Sequence, residues 1–481
     1  MRELQTTEYD VVVLGAGPTG ENVADYARRG GLTVAVVEAE LVGGECSYWA
    51  CIPSKALLRP VDVLDAVRGV PGAREAVTGP LDAAAALARR DAFVGGFLDA
   101  GQVSWLEGTG SALVRGTGRL AGERRVEVTG PEGDTELLTA RHAVVVCTGT
   151  AAAVPPVPGL AEARPWTSRD ATTAKEAPRR LAVLGGGVVG VEMATAWRAL
   201  GSEQVTVLQR GPRLLPGHEP EAADRLAAAL RERGVDVRLS AEVTEVRREG
   251  DGPVRLTVDG EVLEADEVLV AAGRTPRTGD VGLETVGLRP GAPLAVDDSL
   301  RVPGVPGGWL YAAGDCTDRA RLTHMGKYEA RACGTVIAAR AAGEPAAQDP
   351  APWSRYAATA DSRAVPQVVF TSPQVASVGL TERQARERGL RVVTSEYELG
   401  SVAGAALLAD GYSGWAKLVV DTDRLVVIGA TFLGSEVAEL LHSATIAVAG
   451  EVPVERLWHA VPAFPTMSEV WLRLLDALPD A

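Results

Sequence analysis

"YDVVVLGAGPTGENVADYARRGGLTVAVVEAE", residues 9–40, is the stretch that decides the fold. Val11, Val12 and Val13, continued by Leu14, read as a β-branched strand. Gly15, Gly17 and Gly20 follow in GxGxxG spacing, then a helical stretch and a second strand that ends at Glu38. Gly15 permits the tight turn, Gly17 lets backbone N–H groups approach a pyrophosphate, and Gly20 lets the helix pack on the strand. Glu38 can bind ribose hydroxyls. The glycine spacing is weak on its own, but strand, helix and acidic terminus together define a dinucleotide site.

The pattern returns at residues 179–216, "RRLAVLGGGVVGVEMATAWRALGSEQVTVLQRGPRLLP", where Gly185, Gly187 and Gly190 open a helix that carries Glu192. Two fingerprints imply two dinucleotides. The position corresponding to Glu38 is Gln209, followed by Arg210 and then Arg213. Loss of the carboxylate and gain of guanidinium groups favour a ribose 2′-phosphate, so NADPH is expected ahead of NADH. The alternative is that both arginines are solvated loop residues.

At 481 residues and 46% hydrophobic, the chain is too long for one core and is expected to divide into several domains. The net charge of -15, spread along the chain, argues against nucleic acid as a partner. Apolar runs such as "VVVLG" and "HAVVVC" are far shorter than the roughly 20 residues of a membrane span. The first residues enter a strand without the regions of a signal peptide, and a cytoplasmic location is expected. Five cysteines cannot scaffold so long a chain, so a close pair in a reducing compartment reads as catalytic or metal-binding. "GGECSYWACIPSK", residues 43–55, holds that pair, Cys46 and Cys51. No second Cys or His pair stands nearby to complete a zinc site, and no metal is expected.

A nucleotide fold, then "GGECxxxxCIPSK", then a second nucleotide fold resembles the FAD-dependent pyridine nucleotide–disulfide oxidoreductases, such as dihydrolipoamide dehydrogenase, glutathione reductase and mercuric reductase. The resemblance covers essentially the whole chain. Its further landmarks are "VVVCTGT" with Thr148 and Gly149, "VLVAAGRTPR" with Gly273 and Arg274, "LYAAGDCT" with Asp315, "VPQVVFTSPQVASVGLT", and "FPTMSE". It implies an α/β protein of two Rossmann-like domains and a C-terminal α+β dimerisation domain. The expected boundaries are FAD binding over 1–150 with a returning segment 275–350, NAD(P) binding over 151–274, and dimerisation over 351–481, the last preceded by the Pro- and Ala-rich stretch 341–355.

The resemblance also implies roles. Cys51 is the charge-transfer thiol against the flavin and Cys46 the outer thiol that attacks substrate, with Gly44 on the FAD side of the motif. Lys55 lies near flavin N5 and pairs with Glu192. Asp315 holds the ribityl chain, and Val188 gates the nicotinamide pocket. Chemically, the pair must open and close reversibly, and a helix start keeps a thiolate available. Cys147, Cys316 and Cys333 are expected to be core or near-flavin packing residues.

The chain departs from the pattern at its C-terminal motif. Relatives read His-Pro-Thr-x-Ser-Glu, with the histidine acting as acid and base across the dimer and the glutamate orienting it. Here Pro465, Thr466, Ser468 and Glu469 are in register, but Phe464 occupies the histidine position. Phenylalanine carries no proton. His459 lies five residues before Phe464 and would substitute only through an insertion, so "WHAVP" reads more simply as an approach to the site, and His324 in "RLTHMGKYEAR" reads as structural or flavin-contacting. A second departure is the aromatic pair Tyr48 and Trp49 between the cysteines; these either narrow the pocket, stack on a flat substrate or fill the helix's inner face. Phe464 also parallels the family's 2-ketopropyl coenzyme M oxidoreductase/carboxylase, though nothing marks a site for a sulfonate-bearing thioether. Mercury delivery would call for extra thiols, which "WLRLLDALPDA" lacks. The expected activity is an NADPH-dependent flavoprotein homodimer reducing a small disulfide. The alternatives are flavin-to-quinone transfer that needs no histidine, and a redox sensor that does not turn over.

Overall fold

The structure is a computed structural model that describes residues 5–479, and it divides the chain into two compact units. The first comprises the residues up to Ile52 with Val94–Ala151 and Arg274–Ser362. Its sheet has seven strands, in the order Ala112–Arg115, Val34–Glu38, Gln5–Leu14, Thr135–Val146, Arg125–Thr129, Thr117–Leu120, with Leu310–Ala312 pairing the strand Thr135–Val146. We label its opening elements β1 (Gln5–Leu14), α1 (Pro18–Arg29), β2 (Val34–Glu38) and α2 (Gly44–Tyr48). β1 and β2 run parallel, with Val11 opposite Val34 and Val13 opposite Val36. Val11, Val12 and Val13 are fully buried, which is why the run lacks polar alternation. Both loops that feed the site, after β1 and after Thr135–Val146, leave the carboxyl ends of parallel strands, where open α/β sheets place their ligands.

The second unit comprises Pro53–Phe93, Ala152–Gly273 and Arg363–Ala481. A parallel sheet, ordered Val235–Leu239, Gln204–Gln209, Arg180–Leu184, Glu267–Val270, repeats the βαβ scheme around the helix Val188–Ala199. Trp197 of that helix is fully buried and packs on Trp166 at 6.1 Å. A five-stranded antiparallel sheet in the C-terminal segment carries the helix Val437–Ala449 on its surface, an α+β arrangement. Among the described residues no helix is long and apolar enough to cross a membrane.

Candidate active site

The first glycine loop has the geometry its sequence implies. Gly15 has φ +101°, and a Cβ there would lie 2.5 Å from the carbonyl oxygen of Cys147; a Cβ on Gly20 would collide with the Gly15 carbonyl. Nothing lies within 4 Å of a Cβ built on Gly17, so the approach to the start of α1 is open. Glu38 closes the loop, its Oε2 accepting the N–H of Ala16 at 2.7 Å and its Oε1 that of Glu40 at 2.7 Å. Gly44, at the start of α2, comes against Gly17: a Cβ on it would stand 2.9 Å from Gly17 Cα. The Thr148 hydroxyl donates to the Arg277 carbonyl at 2.7 Å, and the Arg277 N–H donates to the Gly149 carbonyl at 2.9 Å. Asp315 accepts from the Thr150 hydroxyl at 3.1 Å, and Arg274 donates to that same hydroxyl at 2.6 Å. Burial pushes the Asp315 carboxyl upward, with Arg274 and Thr150 pulling against it. An open helix start, a carboxylate at the end of β2 and the half-buried carboxyl of Asp315 suit an FAD molecule.

The thiols belong to the same unit. Cys46 lies in α2, and Cys51 opens the next helix, α3 (Cys51–Arg68). Cys46 is hydrogen-bonded to Cys51, and Cys51 Sγ lies 3.1 Å from Thr323 Oγ1, at the start of the helix Thr323–Ala341. The Cys46 thiol is pushed well above the ordinary range, first by the bond to Cys51, then by burial and by the charge of Cys51. Thr323 and Lys327 act in the opposite direction. Glu45, just before Cys46, is held by Arg277 at 3.2 Å and Arg274 at 3.7 Å. Tyr48 is 3% exposed and tilted against Trp49 at 5.7 Å, so of the three readings for this pair Tyr48 takes the inner-face one. Cys147, Cys316 and Cys333 are buried, and Cys316 donates to the Val146 carbonyl at 3.2 Å.

In the second unit, Lys55 of α3 meets Glu192 Oε2 at 2.7 Å. Glu192 Oε1 accepts the N–H of Phe370 at 2.9 Å, and the Lys55 ammonium sits 5.0 Å from the Phe370 ring. The glycine loop at Gly185, Gly187 and Gly190 repeats the first: Gly185 has φ +113°, Gly187 faces open space, and the helix starts at Val188. Gln209 Oε1 accepts the Gly186 N–H at 2.9 Å. Arg210 is exposed, whereas Arg213 is engaged by Asp224 at 3.2 Å. Gly273 ends the unit's middle segment with φ +126°. Phe464 is 76% exposed. Glu469 accepts from Arg473 at 2.7 Å, while its buried Oε2 has no hydrogen-bond partner among the described residues. That is the oxygen an orienting carboxylate would turn toward an imidazole. His459 and His324 are both exposed. Among the described residues no cluster of three His, Cys, Asp or Glu side chains could hold a metal.

Thr323, Lys327 and Phe370 had no prominence in the motif reading. Thr323 and Cys51 are 272 positions apart and Phe370 and Glu192 178 apart, so only the fold joins them. Glu21 carried a local signal: a carboxylate inside the buried stripe of α1 that also contains Ala24 and Asp25.

Two βαβ folds with dinucleotide-type glycine loops and, between them in the sequence, a close thiol pair mark a flavoprotein reductase that works with a nicotinamide. Residues 9–341 match the pyridine nucleotide-disulphide oxidoreductase family and residues 365–474 match its dimerisation domain; the chain belongs to this family, whose members are enzymes using FAD and NAD(P)H. It is 35% identical over 476 residues to "Dihydrolipoyl dehydrogenase 3" of Pseudomonas aeruginosa, covering 96% of each chain. It is 31% identical over 468 residues to "Mercuric reductase" of Staphylococcus aureus, covering 96% of this chain and 81% of that protein. The solved HOCl-induced flavoprotein disulfide reductase RclA from Escherichia coli is similar over 97% of this chain and 99% of its own, with a TM-score of 0.81 at 26% identity.

Proposed function

We propose that the chain forms a homodimer that oxidises NADPH and reduces a small disulfide through a Cys46–Cys51 disulfide. The observation that carries this is the hydrogen-bonded thiol pair held at Cys51 by Thr323. The division into an FAD domain (1–150 and 275–350), an NAD(P) domain (151–274) and a dimerisation domain (351–481) is the one we propose for the cofactors. Gly15, Gly17, Gly20, Glu38, Gly44, Thr148, Gly149 and Asp315 would hold FAD, which supplies two-electron exchange between the nicotinamide and the thiol pair. Gly185, Gly187, Val188, Gly190, Gln209 and Arg210 would hold NADPH. Lys55, pinned by Glu192, is a fixed positive charge that we assign to the flavin's edge.

On the thiol side the chemistry follows from the two sulfurs. In the dithiol state the Cys46 thiolate attacks one sulfur of the substrate disulfide; that S–S bond breaks, a mixed disulfide forms, and the departing thiolate takes up a proton. The Cys51 thiolate then attacks Cys46 Sγ, restoring the Cys46–Cys51 disulfide and releasing the second thiol. Two electrons pass from the dithiol to the substrate.

Phe464 favours a second reading, direct reduction of a quinone from the flavin, because general acid–base catalysis worth about 10²–10⁴-fold is missing from that position. Steady-state NADPH oxidation with a panel of small disulfides and with a quinone, on wild type and Cys46→Ser, separates the two. Disulfide turnover that vanishes in Cys46→Ser is expected. Dominant quinone turnover that survives the substitution would overturn the disulfide reading.

A further inference from the structure

The helix of each nucleotide fold carries an arginine in its last turn, Arg28 eight residues after Gly20 and Arg198 eight residues after Gly190. Each clips the turn beyond its helix: Arg28 Nη1 donates to the Leu32 carbonyl at 2.8 Å and Arg198 Nη1 to the Ser202 carbonyl at 3.1 Å. Each also lies over a left-handed glycine just before a strand. A Cβ on Gly110 would stand 2.7 Å from Arg28 Nη2, and one on Gly234 3.1 Å from Arg198 Nη2. The two arginines differ at Nε. In the first unit the residue before that glycine, Thr109, lends its carbonyl to Arg28 Nε at 3.4 Å. In the second unit Arg233 stands there, and Arg198 Nε, though buried, has no hydrogen-bond partner among the described residues. A buried guanidinium N–H without an acceptor is costly, and an oxygen is the acceptor it lacks.

Complementing a helix dipole accounts for a basic last turn, but not for the surroundings of this one. Arg198 lines a cavity of about 290 Å³ within the second unit, close to the lower end of the about 300–1,000 Å³ usual for small-molecule pockets. Arg68 of α3 and Arg233 share its wall, with Asp65 as the one carboxylate. Asp65 is already engaged, its Oδ2 accepting from Arg233 Nη2 at 2.7 Å and from the Ser372 hydroxyl at 2.7 Å. Among the described residues Arg233 commits only that nitrogen, which also donates to Ser372 Oγ at 2.9 Å, and Arg68 is exposed and unpaired. In a chain of net charge -15 this cavity is a local inversion of sign.

We propose that the cavity binds an oxyanion of the phosphate class, free or as the head of a small ester, held by Arg198 Nε and the guanidinium groups of Arg68 and Arg233. Guanidinium forks match phosphate oxygens through paired charge-assisted hydrogen bonds. The site is separate from the glycine loop of the same unit, because Val188 and Arg198 stand about 15 Å apart along their helix. Bound there, the anion ties α3, which carries Lys55, to the helix that carries Glu192.

The test is isothermal titration of the FAD-loaded enzyme with inorganic phosphate and, separately, with glycerol phosphate at constant ionic strength. Wild type, Arg68→Ala, Arg198→Lys and Arg210→Ala are compared. Wild type is expected to bind with a Kd at or below about 1 mM and to melt at a higher temperature with phosphate present. Arg68→Ala should weaken binding about tenfold, and Arg198→Lys, which keeps the charge and loses the Nε donor, by a similar factor. Arg210→Ala, which removes the guanidinium assigned to NADPH, should leave phosphate affinity unchanged. Tighter binding of glycerol phosphate than of inorganic phosphate would identify an ester as the ligand, and the reverse order the free ion. Absence of binding of either probe to wild type overturns the proposal, and so does wild-type affinity in Arg68→Ala. Binding lost in Arg210→Ala alone also overturns it, by assigning the phosphate to the nucleotide loop. Should Arg198→Lys fail to fold, Arg68→Ala decides, since that side chain is exposed and unpaired among the described residues.

Discussion

The two glycine loops are built alike and finished differently. In each, the side chain that ends the second strand reaches back to cap the N–H following the first glycine: Glu38 on Ala16 at 2.7 Å, Gln209 on Gly186 at 2.9 Å. The cap is the same hydrogen bond with a different charge. A carboxylate satisfies the loop and stays negative beside a diol; an amide satisfies it while leaving the neighbourhood free for a phosphate. Dinucleotide choice is thus separable from loop folding, and substitutions can test the two apart.

The largest effect should come from the third glycines. A Cβ on Gly20 collides with the Gly15 carbonyl and one on Gly190 with the Gly185 carbonyl, backbone against backbone. Such overpacking typically costs about 1–3 kcal/mol, here concentrated at the phosphate-facing turn. Gly20→Ala should yield protein that purifies with little FAD, read from its visible absorbance. Gly190→Ala should keep its FAD and lose most NADPH-driven turnover. If both variants lost the same cofactor, the assignment of the two loops would be wrong.

How much of this is legible in the sequence depends on range. Residues 9–40 declare strand, turn and helix because the β-branched run, the glycines and the terminal acid lie within one βαβ unit, and the structure builds them so. The register of Gln209 with Glu38 is readable too, whereas the capping of the loop N–H by both side chains is seen only in the structure. The surroundings of the thiols are not: Thr323 reaches Cys51 only after the chain has left the first unit, built the second nucleotide fold and returned. Glu21 lies between these cases. Its position in the buried stripe of α1 is readable, but that its Oε1 finds no partner among the described residues is seen only in the folded chain.

A smaller effect is expected from converting one cap into the other. Gln209→Glu keeps an oxygen for the Gly186 N–H, and Glu38 shows that a carboxylate fits this backbone geometry. Folding should be unaffected. The added negative charge should lower kcat/KM for NADPH by about tenfold to hundredfold while changing that for NADH far less. An equal loss with both nucleotides would mean that Gln209 acts on the loop rather than on the ribose.

The smallest effect separates the two arginines that follow. Arg210 is exposed and has no partner among the described residues, so its guanidinium is available to a 2′-phosphate; Arg210→Ala should raise KM for NADPH about tenfold. Arg213 is already engaged by Asp224 at 3.2 Å, with the two side chains 49% and 52% exposed. An exposed pair of this kind contributes little, so Arg213→Ala should change KM for NADPH less than about twofold. A tenfold rise with Arg213→Ala would mean that the nucleotide draws Arg213 away from Asp224. In that case Asp224→Asn, by freeing the guanidinium in advance, should tighten NADPH binding.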